Sequence, residues 1–472
     1  MNKLIFGLLL MTTIVTGQTL PESIRDLVER GEFTQAQNDM RQLMAIKPEM
    51  DAMLRQKMIF EIERLERIRK DFNKDRSDMI AYISRYISDV EVDDLLKWEE
   101  SNALEVRVID GQKRYFHAAA RNLFRIVPEL RELKKQVDGP QVEPEYNRLA
   151  DLRSIVRNAQ DSPYTQPARV RIDYRITVPA NTVPDGQVVR AWLPFPKSVP
   201  DRQTDIHIVD TAPAEYLLSP DQRDFHRSIY FEQIAREDSA MTFNVSFEMT
   251  HYAYFQAIDA DRVSTQLPDS VKPYLQERPP HIVFSPEMRA LSRDIVGDET
   301  HPYRIAQQLF GWISDNIPWA SAREYSTFTS VCDYILENRH ADCGMQTLFL
   351  ITLMRMNGIP ARWQSGWWVE PSDWTMHDWG EFYLEPYGWL PMDVTYEKQP
   401  VDDPQIKWFF LGGMDAWRWI VNDDFSVRFY PAKIHPRSET IDFQRGEVEW
   451  AGGNLYFDQW DWDFNVRVID EP

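Results

Sequence analysis

The chain reads as a multidomain protein: an α-helical N-terminal region, an antiparallel β-sandwich, then an α+β region bearing a thiol at the head of an apolar helix. Three observations lead there. Up to about residue 135 apolar residues recur at helical spacing; from about 168 to 256 they alternate with polar ones; beyond 275 a cysteine-headed apolar run is followed by strand-like segments. A composition 43% hydrophobic and 12% aromatic is too apolar for a disordered chain, and 472 residues suffice for about three domains.

The first segment, "MNKLIFGLLLMTTIVTGQTLPE", has Lys3, an apolar run from Leu4 to Val15, and small residues after it. Val15 and Gly17 suit the −3 and −1 positions of a signal-peptidase site, so residues 1–17 are expected to be a signal peptide and Gln18 the mature N-terminus. The run is shorter than the roughly 20 residues a membrane span needs, and no cysteine follows it to take a lipid. A secreted or periplasmic protein is expected, with no stable membrane insertion after cleavage. Two cysteines do not make a disulfide scaffold. The net charge of −21 repels phosphate backbones, so nucleic acid is excluded as a partner class.

Residues 18–160 form the expected helical domain. "RGEFTQAQNDMRQLMAIKPEM" turns at a glycine, places Phe33, Ala36, Met40 and Leu43 near one helix face, and closes at Pro48. It resembles one tetratricopeptide unit without a second copy at the roughly 34-residue period, which leaves an ordinary helical hairpin as an equal reading. "MLRQKMIFEIERLERIRKDF" continues as a long charged helix, and "ALEVRVIDGQKRYF" is expected to be a hairpin turning at Asp110-Gly111.

Residues 165–260 are expected to be the sandwich. "ARVRIDYRITVP", "QVVRAWLPFP", "TDIHIVD", "RSIYFEQI" and "MTFNVSFEMTHYAYF" alternate, with turn residues but no helices between them. His207, His226 and His251 lie inside these strands and are assigned structural roles.

The chemistry is expected in 275–440, with 441–472 as its C-terminal β extension. "CGMQTLFLITLMRMN" is a helix pattern over 343–357, capped by Asp342 and stopped by Gly358 and Pro360. Cys343 in its first turn meets exposed N–H groups, which favour a thiolate and can face an oxyanion. The helix is apolar almost all round, so it is expected to be buried with only its head open. Three strand-like segments follow, "ARWQSGWWVE", "HDWGEFYLEP" and "GWLPMDVTYE"; His377 begins the second and Asp393 lies in the third. Thiol, imidazole and carboxylate in this order supply nucleophile, base and orienting group for acyl transfer. Symmetric pairing of the last two strands about Pro386-Tyr387 sets Asp393 opposite Gly380, three residues from His377, a gap that a bulge or diagonal contact must close.

"RHADCGMQTLFLITLMRMNGIPARWQSGWW", "HDWGEFYLEPYGWLPMDVTY" and the upstream "IPWASAREYS" resemble the core of the transglutaminase-like superfamily, which includes transglutaminases, microbial thiol proteases and peptide N-glycanases. The resemblance covers roughly 300–400 and implies a papain-like fold with Cys343 as nucleophile, His377 as general base and Asp393 as the imidazole's partner. The family commonly has glycine two residues before the nucleophile; this chain has Ala341. By the same resemblance an upstream side chain helps hold the oxyanion, and Trp319 and Tyr325 are the candidates.

Weighed against this, Cys343 could be a simple buried helix residue. Cys332 is expected to be packing, with a disulfide to Cys343 as the hazard. A zinc site built on Cys343, His377 and Asp393 with His340 or Cys332 lacks any metal-ligand spacing, and the acidic 402–404 and 422–425 lack that of a calcium loop. No metal and no cofactor is expected. All tryptophans but Trp98 and Trp192 lie from Trp312 onward; they are expected to be mainly core, with a peptide- or sugar-binding groove as the alternative. The expected function is an exported cysteine enzyme that forms a thioester with a peptide or carboxamide carbonyl and hydrolyses it, acting on a protein, peptide or glycopeptide. A protein-crosslinking transglutaminase and a non-catalytic binding module are the alternatives.

Overall fold

A computed structural model describes residues 19–139, 146–370 and 373–469; the expected signal peptide lies outside them. The chain divides into two compact units.

The first comprises the described residues up to Met79 together with Glu105–His117. Helices α1 (Glu22–Glu29), α2 (Phe33–Ile46) and α3 (Ala52–Asp71) bury Phe33, Met40, Met58, Leu65 and Phe72. Strands β1 (Val106–Ile109) and β2 (Gln112–Tyr115) pair antiparallel with Ile109 opposite Gln112. Asp110 (φ 48°) and Gly111 (φ 78°) make the two-residue turn, both left-handed as such a tight hairpin requires. The Asp110 carboxylate then accepts from Thr34 and Arg69, which ties the turn to α2 and α3.

The second unit holds everything else. Its first helices are α4 (Arg76–Ile83, shared at its start with the first unit), α5 (Val92–Glu100), α6 (Ala119–Ile126), α7 (Pro128–Asp138) and α8 (Arg148–Asn158). Six strands follow: β3 (Tyr164–Val178), β4 (Val188–Pro194), β5 (Gln203–Ala212), β6 (Leu217–Leu218), β7 (Ser228–Ile234) and β8 (Met241–Phe255). Buried residues alternate with more exposed ones over 168–178 of β3 and 241–249 of β8, which matches their sequence period.

The part built on the cysteine helix contains α9 (Pro286–Val296), α10 (Pro302–Asn316), α11 (Val331–Asn338) and α12 (Cys343–Met356). Next come β9 (Ala361–Glu370), β10 (Asp373–Leu384), β11 (Gly388–Met392), α13 (Pro404–Lys407), β12 (Gly413–Met414) and β13 (Arg418–Asn422). A four-stranded sheet in the order β11-β10-β9-β13 carries α12 across β9 and β10. Every residue from Gly344 to Arg355 is buried, as an all-apolar helix requires. His377 does not begin its strand: β10 starts at Asp373, because Asp373–Met376 continue the pairing with β9.

The last segment supplies β14 (Glu447–Trp450), β15 (Gly453–Leu455) and β16 (Asp461–Val468). These join the sheets of the middle region, where the sequence reading places them as an extension of the third. β16 pairs with β3 from Asp461↔Thr177 to Val468↔Val170, and β14 pairs with β4. The result is two five-stranded sheets, β12-β8-β3-β16 with β5 also on β8, and β15-β14-β4-β7-β6. An open strand edge is a liability, and the tail covers two of them. One apolar cluster gathers Ile172, Trp192, Phe231, Phe247, Trp367, Trp419 and Phe464. Phe464 lies edge-on to Trp367 at 4.1 Å. Phe464→Ala is expected to cost about 3–5 kcal/mol, read as a lowered denaturant midpoint with unchanged slope.

Candidate active site

Asp342 caps α12 by accepting from the Met345 N–H at 3.0 Å, so Cys343 is the first helical residue. At the other end Gly358 turns left-handed (φ 77°), Ile359 N–H returns to the Met354 carbonyl, and Pro360 prevents continuation. The thiol is thereby fixed at the positive end of a rigid, buried rod. Gly344 lets the helix head approach its neighbours: a Cβ there would stand 2.1 Å from Tyr325 Oη and 2.6 Å from Asp378 Oδ2.

His377 Nε2 and Asp393 Oδ2 are 2.6 Å apart, with the carboxylate fully buried and the imidazole 6% exposed. Strand register explains the meeting. Leu384 pairs with Gly388 and Gly380 with Met392, so the connecting loop has three residues and Asp393 falls one place nearer His377 than pairing about Pro386-Tyr387 implies. By alternation Asp393, just past Met392, then shares a face with Trp379 and His377. Arg418 Nη2 donates to the same Asp393 oxygen at 2.9 Å, and Arg418 Nη1 to Asp415 at 2.9 Å. Burial alone pushes the Asp393 carboxyl up, but the imidazole and the guanidinium outweigh it and hold it below the usual range. Trp379 and Tyr396 pack on the imidazole.

Cys343 is not joined to this pair by any hydrogen bond among the described residues. Its thiol donates to Asp378 Oδ2 at 3.5 Å. Asp378 follows His377 in a regularly paired strand, so the two side chains leave opposite faces. Asp378 also accepts from Gln444 Nε2 at 2.8 Å, and Tyr325 Oη stands 3.4 Å from its Oδ2. Burial first, then the Asp378 and Asp342 charges, push the thiol up; the Asp393 carboxylate is close enough to be among the causes.

The thiol opens into a cavity of about 240 Å³ whose lining includes Trp319, Tyr325, Asp342, Asp378, Glu439 and Asp442. Both oxyanion candidates therefore stand there. Tyr325 gives its hydroxyl proton to Asp342 at 2.8 Å. Trp319 is 37% exposed under the Arg125 guanidinium, and its indole N–H has no partner among the described residues. Glu439, Asp442 and Gln444 come from the chain between β13 and β14 and carry no motif that would have singled them out.

The other residues singled out in the sequence are placed elsewhere. Cys332 is buried and donates to the His281 carbonyl at 3.2 Å; burial pushes its thiol up to about 12, and both cysteines are free. His340 is buried beside Tyr334, and burial lowers it to about 4. His226 bonds to Asn422, His251 is buried and lowered to about 3 by desolvation, and His207 is exposed beside Glu248. Of the acidic turns, Asp403 caps α13, Asp423 faces Lys197, and Asp424 pairs with Arg278. Trp363, Trp367, Trp379 and Trp419 are core residues, exposed by 1% or less.

Residues 289–394 match the family model described as the transglutaminase-like superfamily, and the chain carries a core of that superfamily. No curated protein matches the chain. Among solved structures it is similar to a candidate cysteine protease from Cytophaga hutchinsonii, at 16% identity and TM-score 0.40 over 66% of this chain and 93% of that one. It is also similar to the periplasmic domain of TgpA from Pseudomonas aeruginosa, at 15% identity and TM-score 0.26 over 54% of this chain and 94% of that one.

Two substitutions test this electrostatic arrangement. Asp378→Asn removes a negative charge beside the thiol, so Cys343 alkylation followed by intact mass is expected to begin at lower pH than in wild type. Arg418→Met leaves Asp393 buried with one partner fewer and is expected to cost about 3–5 kcal/mol at neutral pH. Asp393 is held below its unfolded value, so its stabilisation is present above the ordinary carboxylate pKa and lost as pH falls through the lowered one. The stability gap between wild type and Arg418→Met, measured by urea titration, should therefore narrow only in that acid range.

Proposed function

We propose that this chain is a thiol acyl-transfer enzyme that hydrolyses a peptide or amide bond, with Cys343 as nucleophile, His377 as general base and Asp393 as the group that orients the imidazole. The observation that carries the reading is the buried His377–Asp393 pair, secured by Arg418, on the strand against which the Cys343 helix packs. A carboxylate fully withdrawn from water is expensive, and orienting a base is what this geometry can do.

In the proposed cycle the Cys343 proton passes to the imidazole as sulfur attacks the carbonyl carbon. The tetrahedral adduct collapses, the C–N bond breaks, and the imidazolium proton leaves with the amine. Water then adds to the thioester, giving its proton to His377, and the C–S bond breaks to return the thiol and release the acid. N–H groups at the head of α12 and the Trp319 indole N–H are the donors available to the oxyanion. The cycle requires the thiol to exchange Asp378 for His377, whose side chain leaves the opposite face of β10, so the helix head has to rearrange against that strand before the proton is transferred.

Export from the cytoplasm is part of the proposal and rests on the leader-like residues 1–17. No helix among the described residues is long and apolar enough to cross a membrane.

The test is turnover of a peptide-amide library, with acid-quenched intact mass to trap the acyl-enzyme. Cys343→Ala should abolish both, and Asp393→Asn should lower kcat by roughly 10⁴ through the wrong tautomer. Binding without turnover or acyl-enzyme in wild type would instead favour a non-catalytic module, the reading that the Cys343–Asp378 hydrogen bond favours.

A further inference from the structure

The cavity beside Cys343 is walled by carboxylates. Glu324, Asp342, Asp378, Glu439 and Asp442 all line it. Two cations line it as well, and both have protein partners: Arg445 is held bidentately by Glu324, and Arg323 lies over the Phe328 and Tyr334 rings. Asp342 takes the hydrogen bond of Tyr325, Asp378 takes those of Gln444 and the Cys343 thiol, and Glu439 takes one from the Ile441 N–H.

Asp442 is the exception. Its residue is 5% exposed, yet its carboxylate accepts no hydrogen bond and forms no ion pair among the described residues, and it faces the cavity. Burial, then Glu439 and Asp378, push it well above the ordinary range against the weaker opposing pull of Arg445 and Arg437; burial and Glu324 push Glu439 to about 7. A carboxyl held this way resists ionisation, and a positive charge brought to it would favour its anion.

Building on the proposed enzyme reading, we infer that this cavity receives the ammonium end of a lysine side chain on the peptide whose carbonyl Cys343 attacks. Three N–H donors on a compact charge can meet acceptors from several directions, which suits carboxylates converging from α12, β10 and the 439–445 segment. The same chemistry argues against the cavity as a seat for an acceptor amine. An attacking amine must be neutral, and surrounding carboxylates favour its protonated form. A bound ammonium would also offset the negative charge that opposes thiolate formation.

The probes are Nα-acetyl-lysine methylamide and its uncharged isostere Nα-acetyl-norleucine methylamide, titrated calorimetrically into the full chain. Wild type and Cys343→Ala are expected to prefer the lysine compound by roughly tenfold or more, and Asp442→Asn to reduce that preference to about threefold or less, in line with a partly desolvated charge pair. Glu439→Gln, a second position in the same wall, is expected to weaken the preference too, which keeps the test open if one variant folds poorly. Equal binding of the two compounds, no binding of the lysine compound at millimolar concentration, or a preference untouched in both variants would overturn the assignment. Incorporation of free cadaverine into a glutamine peptide, with a KM that depends on Asp442, would overturn it in favour of an acceptor site. A preference that survives in Cys343→Ala while wild type shows no turnover would uphold the cation site and sink the catalytic reading.

Discussion

Asp393 has no contact with water, and a carboxylate in that position has to be compensated from within the protein. His377 and Arg418 both approach its Oδ2, and Arg418 is itself balanced by Asp415. The arrangement joins the end of β11, the middle of β10 and the start of β13. Moving any of these strands by one residue would turn a side chain to the other face and strand a buried charge. The register of the four-stranded sheet and the orientation of the imidazole are therefore one constraint. Arg418 lies beneath Tyr396 and Trp379, the aromatic rings that also confine His377.

The two faces of β10 have opposite electrostatic characters. On one, a carboxylate is stabilised by cationic and imidazole partners. On the other, Asp378 stands among Asp342, Glu439 and Asp442, and burial raises all four. Cys343 sits at the second face, where its thiol is kept protonated although its position at a helix N-terminus favours the anion. At a surface-exposed helix end that effect is worth about 0.3–1 kcal/mol, small beside buried like charges at hydrogen-bond range. The local charge decides, and the thiol stays neutral until the cavity's charge or the thiol's partner changes.

The C-terminal strands link these features to the rest of the second unit. β16 lies along β3, β14 along β4, and the segment preceding β14 brings Glu439, Asp442 and Gln444 to the thiol. Gln444 donates to both the His377 carbonyl and the Asp378 carboxylate. One amide side chain thus holds the strand carrying both groups, and it comes from a part of the chain whose sequence suggests only a closing hairpin.

What the sequence determined by itself is local. The period-two pattern of 168–255 is strands, the run after Cys343 is a buried helix, Asp342 is its cap and Gly358 its stop, because each depends on residues within a few positions of one another. The Asp110-Gly111 turn was legible for the same reason. The pairing of His377 with Asp393 was legible as a motif, but its closure depended on a three-residue loop that shifts the register by one, and loop length is decided by how both strands pack. The partner of the thiol was not legible at all. Asp378 becomes its neighbour only because α12 crosses β10 at Gly344, and the acidic wall exists only because a segment some hundred residues downstream returns along the sandwich. Hydrogen-bond caps and periodicity are short-range; the field at a buried atom is the sum over everything folded around it, and that sum belongs to the tertiary structure.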